Sequence, residues 1–396
     1  MATTAETLTV TRQVAAPRTA SLPWFLTATL FSSAAIVVGL IWDICWHRTI
    51  GRDTFWSPPH LAIYLGGIVA GLSSAWVIFR TTLRGSAEER AQGVRVLGFT
   101  GPLGAFFCAW GAGAMLTSAP FDDWWHNAYG LDVKIISPPH MVLALGINAI
   151  QMGAMLAAVA LQNRHDATAD DRRRARLRLA YGVSAGLLLV NVAIMVYEYM
   201  QRLLMHSSIF YKVAAGAFPI ALVAAARASR LRWPATSAAG LYLGLWLALV
   251  WIMPLFPAEA RLSPVRQPIS HMVPLQFPLL LIVPALAIDW ILQRWKGRPG
   301  WTLALALGTA FLGALLLVQW PFASFLMTPA SRTWVFATHE LPYFVSSAAA
   351  VARNQFYPWD KSTADLLRGL LLALPIAVVS SRLGLAWGGW MSRVRR

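Results

Sequence analysis

Ten apolar stretches, each about 20 residues long, constrain this 396-residue chain more than any other feature. A helix needs about 20 apolar residues to cross the hydrocarbon core of a bilayer. The stretches run over roughly 23–42, 59–79, 97–117, 139–161, 177–197, 209–226, 236–255, 272–293, 301–321 and 366–386. They predict an all-α, polytopic membrane bundle of about ten transmembrane helices. Composition agrees: 57% of residues are hydrophobic and only 13% are charged, against about 25% charged in an ordinary soluble domain. A net charge of +16 would suggest nucleic acid in a soluble protein. Here the arginines fall between apolar stretches, so nucleic acid is set aside as a partner and the lipid bilayer takes its place.

Those arginines also set the expected orientation. Arg80, Arg84, Arg90 and Arg95 follow the second stretch, and Arg164, Arg172, Arg173, Arg174, Arg176 and Arg178 follow the fourth. Arg227, Arg230 and Arg232 follow the sixth; Arg294, Lys296 and Arg298 follow the eighth; Arg393, Arg395 and Arg396 end the chain. Positive charge in short loops marks the cytoplasmic side. The sequence therefore predicts an inner-membrane protein with both termini cytoplasmic. Residues 1–22 read as a polar cytoplasmic tail with no signal-peptide pattern. Residues 322–365 read as an aromatic segment on the outer face, and 366–396 as a last helix with a basic tail.

Within 23–161 a motif occurs twice, in units of about 23–80 and 97–161, ahead of further helices over 177–321. The first copy reads Asp43-Ile-Cys-Trp-His47-Arg-Thr-Ile-Gly51-Arg-Asp53-Thr-Phe-Trp-Ser57-Pro-Pro-His60. The second reads Asp122-Asp-Trp-Trp-His126-Asn-Ala-Tyr-Gly130-Leu-Asp132-Val-Lys-Ile-Ile-Ser137-Pro-Pro-His140. A Leu-Gly pair follows five residues after each last histidine, Leu65-Gly66 and Leu145-Gly146. The period is about 80 residues, two helices long, so the copies are parallel repeats.

Asp43 and His47 are four apart and share a face if that turn is helical. His60 follows a Pro pair that suits the first turn of a helix. A hairpin then gathers one carboxylate and two imidazoles, and Asp122, His126 and His140 do the same. Two histidines and a carboxylate are a common ligand set for copper, zinc or non-haem iron. Asp53, Asp132 and Asp123 stand nearby as supporting groups. His271, in Gln267-Pro-Ile-Ser270-His271-Met272-Val273, echoes Ser137-Pro-Pro-His140-Met-Val without the upstream Asp and His, and is a further contributor. Seven of the eight histidines fall at outer ends or loops; among them His206 and His339 read as bystanders. Cys45 and Cys108 form no disulfide or CxxC pattern.

Asp43-x3-His47-x12-His60, with Trp46, Arg52-Asp53-Thr54, Phe55 and Pro58, resembles the C subunit of the particulate methane and ammonia monooxygenases. The resemblance covers about 40 residues of the 396. It implies copper ligation by Asp43, His47 and His60 near the outer side of the membrane. By the repeat it extends to Asp122, His126 and His140, where the second spacing is thirteen rather than twelve. It further implies oxidation of a small apolar substrate with O2, an electron donor, and partner membrane subunits. Two other classes suit the same residues. One is a copper or zinc handling protein without catalysis. The other is a metal-dependent membrane hydrolase, although no HExxH motif is present.

Overall fold

A computed structural model describes residues 22–51, 54–130, 137–165, 171–201, 204–261, 270–331, 333–337 and 360–396. The chain is an all-α polytopic helical bundle. Its long helices are α1 (Trp24–Thr49), α2 (Pro58–Arg84), α4 (Leu103–Tyr129), α5 (Pro138–His165), α6 (Asp171–Met195), α7 (Ser208–Ala228), α8 (Pro234–Ile252), α10 (Gly300–Leu326) and α11 (Thr363–Met391). Shorter pieces are α3 (Ala87–Ala91) and α9 (Ile282–Arg294), with a hairpin of β1 (Val94–Val96) and β2 (Phe99–Gly101). Among the described residues eight helices are long and apolar enough to cross a membrane: α1, α2, α5, α6, α7, α8, α10 and α11. This makes the chain a multi-pass membrane protein.

All ten apolar stretches contain helix, but two differ from expectation. The third begins at Leu103 instead of 97, because the antiparallel hairpin uses residues 94–101. It then continues to Tyr129, well past the expected 117, and so carries Asp122 and His126 inside the helix. The eighth is helical only from Ile282. Residues Met272 to Leu281 are not helical and are almost wholly buried. Pro274 and Pro278 explain this: each lacks an N–H and pushes the preceding residue away from helical geometry.

Unpaired backbone groups inside a bilayer cost several kcal/mol each, so an unwound segment must be satisfied by its neighbours. The N–H of Val273 donates to Thr49 Oγ1 (2.8 Å), that of Leu279 to the Tyr242 hydroxyl (3.0 Å) and that of Leu280 to Gln319 Oε1 (3.0 Å). The carbonyls of Pro274 and Gln276 accept from Arg48 (2.9 Å) and Trp246 (2.9 Å). Three helices, α1, α8 and α10, thus hold the segment in place. Asp289, on α9, accepts from the first backbone N–H groups of α8, Ala235 (3.1 Å) and Thr236 (2.8 Å), and from the Thr236 hydroxyl (2.8 Å). It fills the orphan donors of that helix start.

The duplicated unit is a four-helix group. Hairpins α1–α2 and α4–α5 pack through α2 on α4 and α1 on α5. They enclose their own small core of Ile36, Ile63, Ala70, Cys108, Met115, Ile147 and Ile150. The larger core, with Tyr181, Phe210, Tyr211, Phe218, Tyr242 and Phe311, is built mostly on α6 to α11. Buried amides join these parts: Gln151 on α5 donates to the Ser33 carbonyl on α1 (3.1 Å), linking the two hairpins, and Asn191 on α6 donates to Asn148 on α5 (3.0 Å), linking the unit to the larger core. Small residues and polar contacts of this kind associate helices where no hydrophobic effect acts between them.

The closest helix contact in the unit is between α4 and α5. A Cβ built on Gly146 would lie 2.7 Å from the Gly111 carbonyl oxygen, and one on Gly111 would lie 2.5 Å from that of Gly146. Replacing Gly146 by Leu is expected to lower stability by about 1–3 kcal/mol or more through overpacking. Gly113→Ala, where a Cβ meets nothing within 4 Å, is expected to be neutral. Thermal unfolding in detergent of both variants checks the difference.

Candidate metal centres

Each helical hairpin brings its motif together at one end. α1 remains helical through Thr49, so Asp43 and His47 lie one turn apart. α4 remains helical through Tyr129 and does the same for Asp122 and His126. Past each histidine the helix stops at a glycine with positive φ: Gly51 at 80° and Gly130 at 87°. A side chain is disfavoured there, which accounts for the glycine shared by both copies. The Ser-Pro-Pro-His segments then open α2 and α5. Pro occupies the first two helical positions, where no N–H is needed, and the histidine is fixed at the third.

The resulting geometry is the same twice. His47 Nε2 lies 3.7 Å from Asp43 Oδ2, and His60 Nε2 lies 3.2 Å from Asp43 Oδ1. His126 Nε2 lies 3.5 Å from Asp122 Oδ2, and His140 Nε2 lies 3.5 Å from Asp122 Oδ1. In each group one donor atom from every residue lies within 4.8 Å of the others. Two donors bound at 2.0–2.1 Å around a tetrahedral ion are about 3.3–3.4 Å apart. The observed separations bracket that value, so little movement is needed to close around a metal.

The polar accounting points the same way. Asp43 Oδ1 and Asp122 Oδ1 are buried and accept no hydrogen bond of good geometry. A buried carboxylate oxygen left so costs about 1–3 kcal/mol or more, and a cation shared with the facing imidazole would remove that cost. His126 Nδ1 lies 3.2 Å from the Gly130 carbonyl oxygen. A carbonyl only accepts, so Nδ1 carries the proton and Nε2 keeps its lone pair for a ligand. The residues present therefore fit a metal ion.

Other expected residues stand apart. Asp53, Asp132 and His339 lie outside the described residues, as does the extra residue of the second copy, within 131–136. Asp123 is exposed and accepts from Asn127 on its own helix (3.3 Å). His271 pairs through Nδ1 with Ser270 Oγ (2.9 Å) and bridges to Pro257; it belongs to neither three-residue group. His206 Nε2 contacts the Trp320 carbonyl (3.0 Å) and its ring packs on Trp320. Burial pushes its pKa below the ordinary histidine value, partly offset by that carbonyl, so the ring is favoured in its neutral form; it belongs to neither three-residue group.

Sequence reasoning did not single out Arg48 and Thr49, which anchor the end of α1 to the unwound segment. Only their position directly after His47 hinted at a role. No family profile, curated protein or solved structure matches this chain.

The orphaned carboxylate oxygens give a test of purpose. If Asp43 and Asp122 serve a metal, they are a burden to the metal-free fold. Asp43→Asn and Asp122→Asn are expected to leave the stability of chelator-treated protein unchanged or to raise it by about 1 kcal/mol, since an amide can donate where the carboxylate only accepts. A loss of more than about 2 kcal/mol on thermal unfolding would mark them as structural hydrogen-bonding groups.

Proposed function

We propose that this chain is a membrane copper protein with two Asp/His/His centres near the outer face, resembling the C subunit of copper membrane monooxygenases and serving oxidation of a small apolar substrate with O2. The observation that carries the proposal is the twofold recurrence of one wiring, a carboxylate shared between two imidazole Nε2 atoms at a helical-hairpin end. Copper is favoured over zinc or iron by the Asp43-x3-His47-x12-His60 pattern and its flanking residues. The outer placement rests on the arginines, which crowd the opposite ends of the same helices.

Three protein ligands leave a coordination position open for a reactant, as catalytic sites do. Bound copper would supply the one-electron chemistry that O2 activation requires. The protein's part is to hold the donors. Asp43 and Asp122 supply charge through both carboxylate oxygens, and the Pro-fixed starts of α2 and α5 orient His60 and His140. From His60 an exposed apolar stripe runs down α2 through Leu61, Leu65, Ile68 and Leu72. It gives an apolar substrate a lateral route from the lipid. An electron donor and further membrane subunits complete this reading.

Metal handling without catalysis is the second reading, favoured by the exposure of His47, whose side chain is 48% accessible. The two are separated on purified, detergent-solubilised protein. Metal analysis is expected to find copper, lost on combined His47→Ala and His126→Ala substitution. Reductant-driven O2 uptake that depends on a hydrocarbon or ammonia supports the oxygenase reading. Copper-loaded, reduced protein that consumes no O2 with any such substrate supports handling. Protein that takes up neither copper nor zinc overturns both.

A further inference from the structure

The two Asp/His/His groups share their wiring but not their surroundings. Aligning the copies sets Arg48 against Asn127, Thr49 against Ala128 and Ile50 against Tyr129. In the first copy this turn is built into the protein. The Arg48 guanidinium donates to the Tyr197 hydroxyl (3.0 Å), just past the end of α6, and to the Pro274 carbonyl (2.9 Å) in the unwound segment. Thr49 Oγ1 accepts from the Val273 N–H (2.8 Å), and the Ile50 carbonyl from the Arg261 N–H (3.0 Å). Thr49 and Ile50 are buried.

In the second copy Asn127, Ala128 and Tyr129 are all exposed. Asn127 turns back to Asp123 on its own helix. α4 itself packs chiefly on α2 and α5, at the edge of the bundle, while α1 also contacts α5, α6 and α8. Cys45, fully buried on α1, is replaced by the exposed Trp124 on α4.

Ligand exposure does not distinguish the two groups consistently. Asp43 and His60 are more covered than Asp122 and His140, but His47 is more exposed than His126. What differs is how firmly the aspartate-bearing helix end is held. A pre-organised ligand set binds more tightly, and within related sites the difference falls mostly on the release rate.

We propose that the two centres have separate roles: the α1 centre, locked to the unwound segment by Arg48 and Thr49, retains its metal, and the α4 centre at the bundle edge is the exchanging one. Arg48 is a positioning residue for His47 and Asp43, acting through its bonds to Tyr197 and Pro274. Its Nη1, held in the rigid guanidinium plane, serves two acceptors on different elements, a geometry that a flexible ammonium holds less well. This inference rests on the metal reading above.

The test uses full-length protein with one centre at a time. His126→Ala/His140→Ala leaves the α1 centre; His47→Ala/His60→Ala leaves the α4 centre. Each is loaded with Cu2+ alone, and release to excess chelator is followed together with the Cu(II) electron paramagnetic resonance spectrum. Release from the α1 centre is expected to be at least about tenfold slower, the scale on which outer partners tune metal sites. Arg48→Ala is expected to bring it to the α4 rate and alter its spectrum, with Arg48→Lys intermediate. The same substitution in the α4-only protein should change neither rate nor spectrum, which guards against a general folding defect. Equal release from the two centres, or an Arg48→Ala effect on both, overturns the assignment while leaving metal binding intact. Failure of both proteins to take up copper overturns the metal reading and this inference with it.

Discussion

A carboxylate near the end of one helix meets an imidazole three residues into the next only if the two helices form a tight hairpin with a fixed turn. That shared contact, Asp43 between His47 and His60 and Asp122 between His126 and His140, makes the rest of the N-terminal half intelligible. The positive-φ glycines end α1 and α4 where the turn must begin, and the Pro pairs start α2 and α5 with the histidine already placed. In the second hairpin, apposed glycines bring the backbones close enough for the geometry to close. Nearly every residue common to the two copies serves one of these purposes.

The bilayer imposes the second constraint. With no water to satisfy polar groups, helices must pair their own backbone, and any interruption must be covered by side chains. The break at Met272 to Leu281 is covered from α1, α8 and α10, and its Gln276 side chain donates to the Met200 carbonyl just past α6. One consequence is that the α1 centre shares a helix end with the anchor of an unwound segment. The α4 centre has no such connection among the described residues. An internal duplication has thus kept its Asp–His–His residues while its two copies came to occupy different places, one within the bundle and one at its edge.

Much of this was legible in the sequence. Long apolar stretches announced the helices, because the requirement to span a bilayer is a length rule that one chain satisfies visibly. The Asp–His–His sets were legible because i, i+4 spacing and a Pro-led helix start are local rules, and their repetition made accident implausible. What remained hidden was non-local. Pro274 and Pro278 marked a weak point in the eighth stretch, yet only packing against Thr49, Tyr242 and Gln319 decided that ten residues would stay unwound. Apolar content alone likewise did not show that α4 would run on to Tyr129, since Asp122, Asp123 and His126 interrupt it. Nothing in Arg48 itself distinguished a basic residue that serves as an anchor from one that merely flanks a membrane span.

The central claim is that each hairpin holds a metal through one carboxylate and two imidazoles. X-ray absorption at the copper edge of the loaded, full-length protein tests it most directly. The account predicts a shell of nitrogen and oxygen donors at about 2.0 Å, with the outer-shell scattering of two imidazoles per copper and no sulfur. Copper bound through sulfur, or with fewer than two imidazoles per ion, would contradict it.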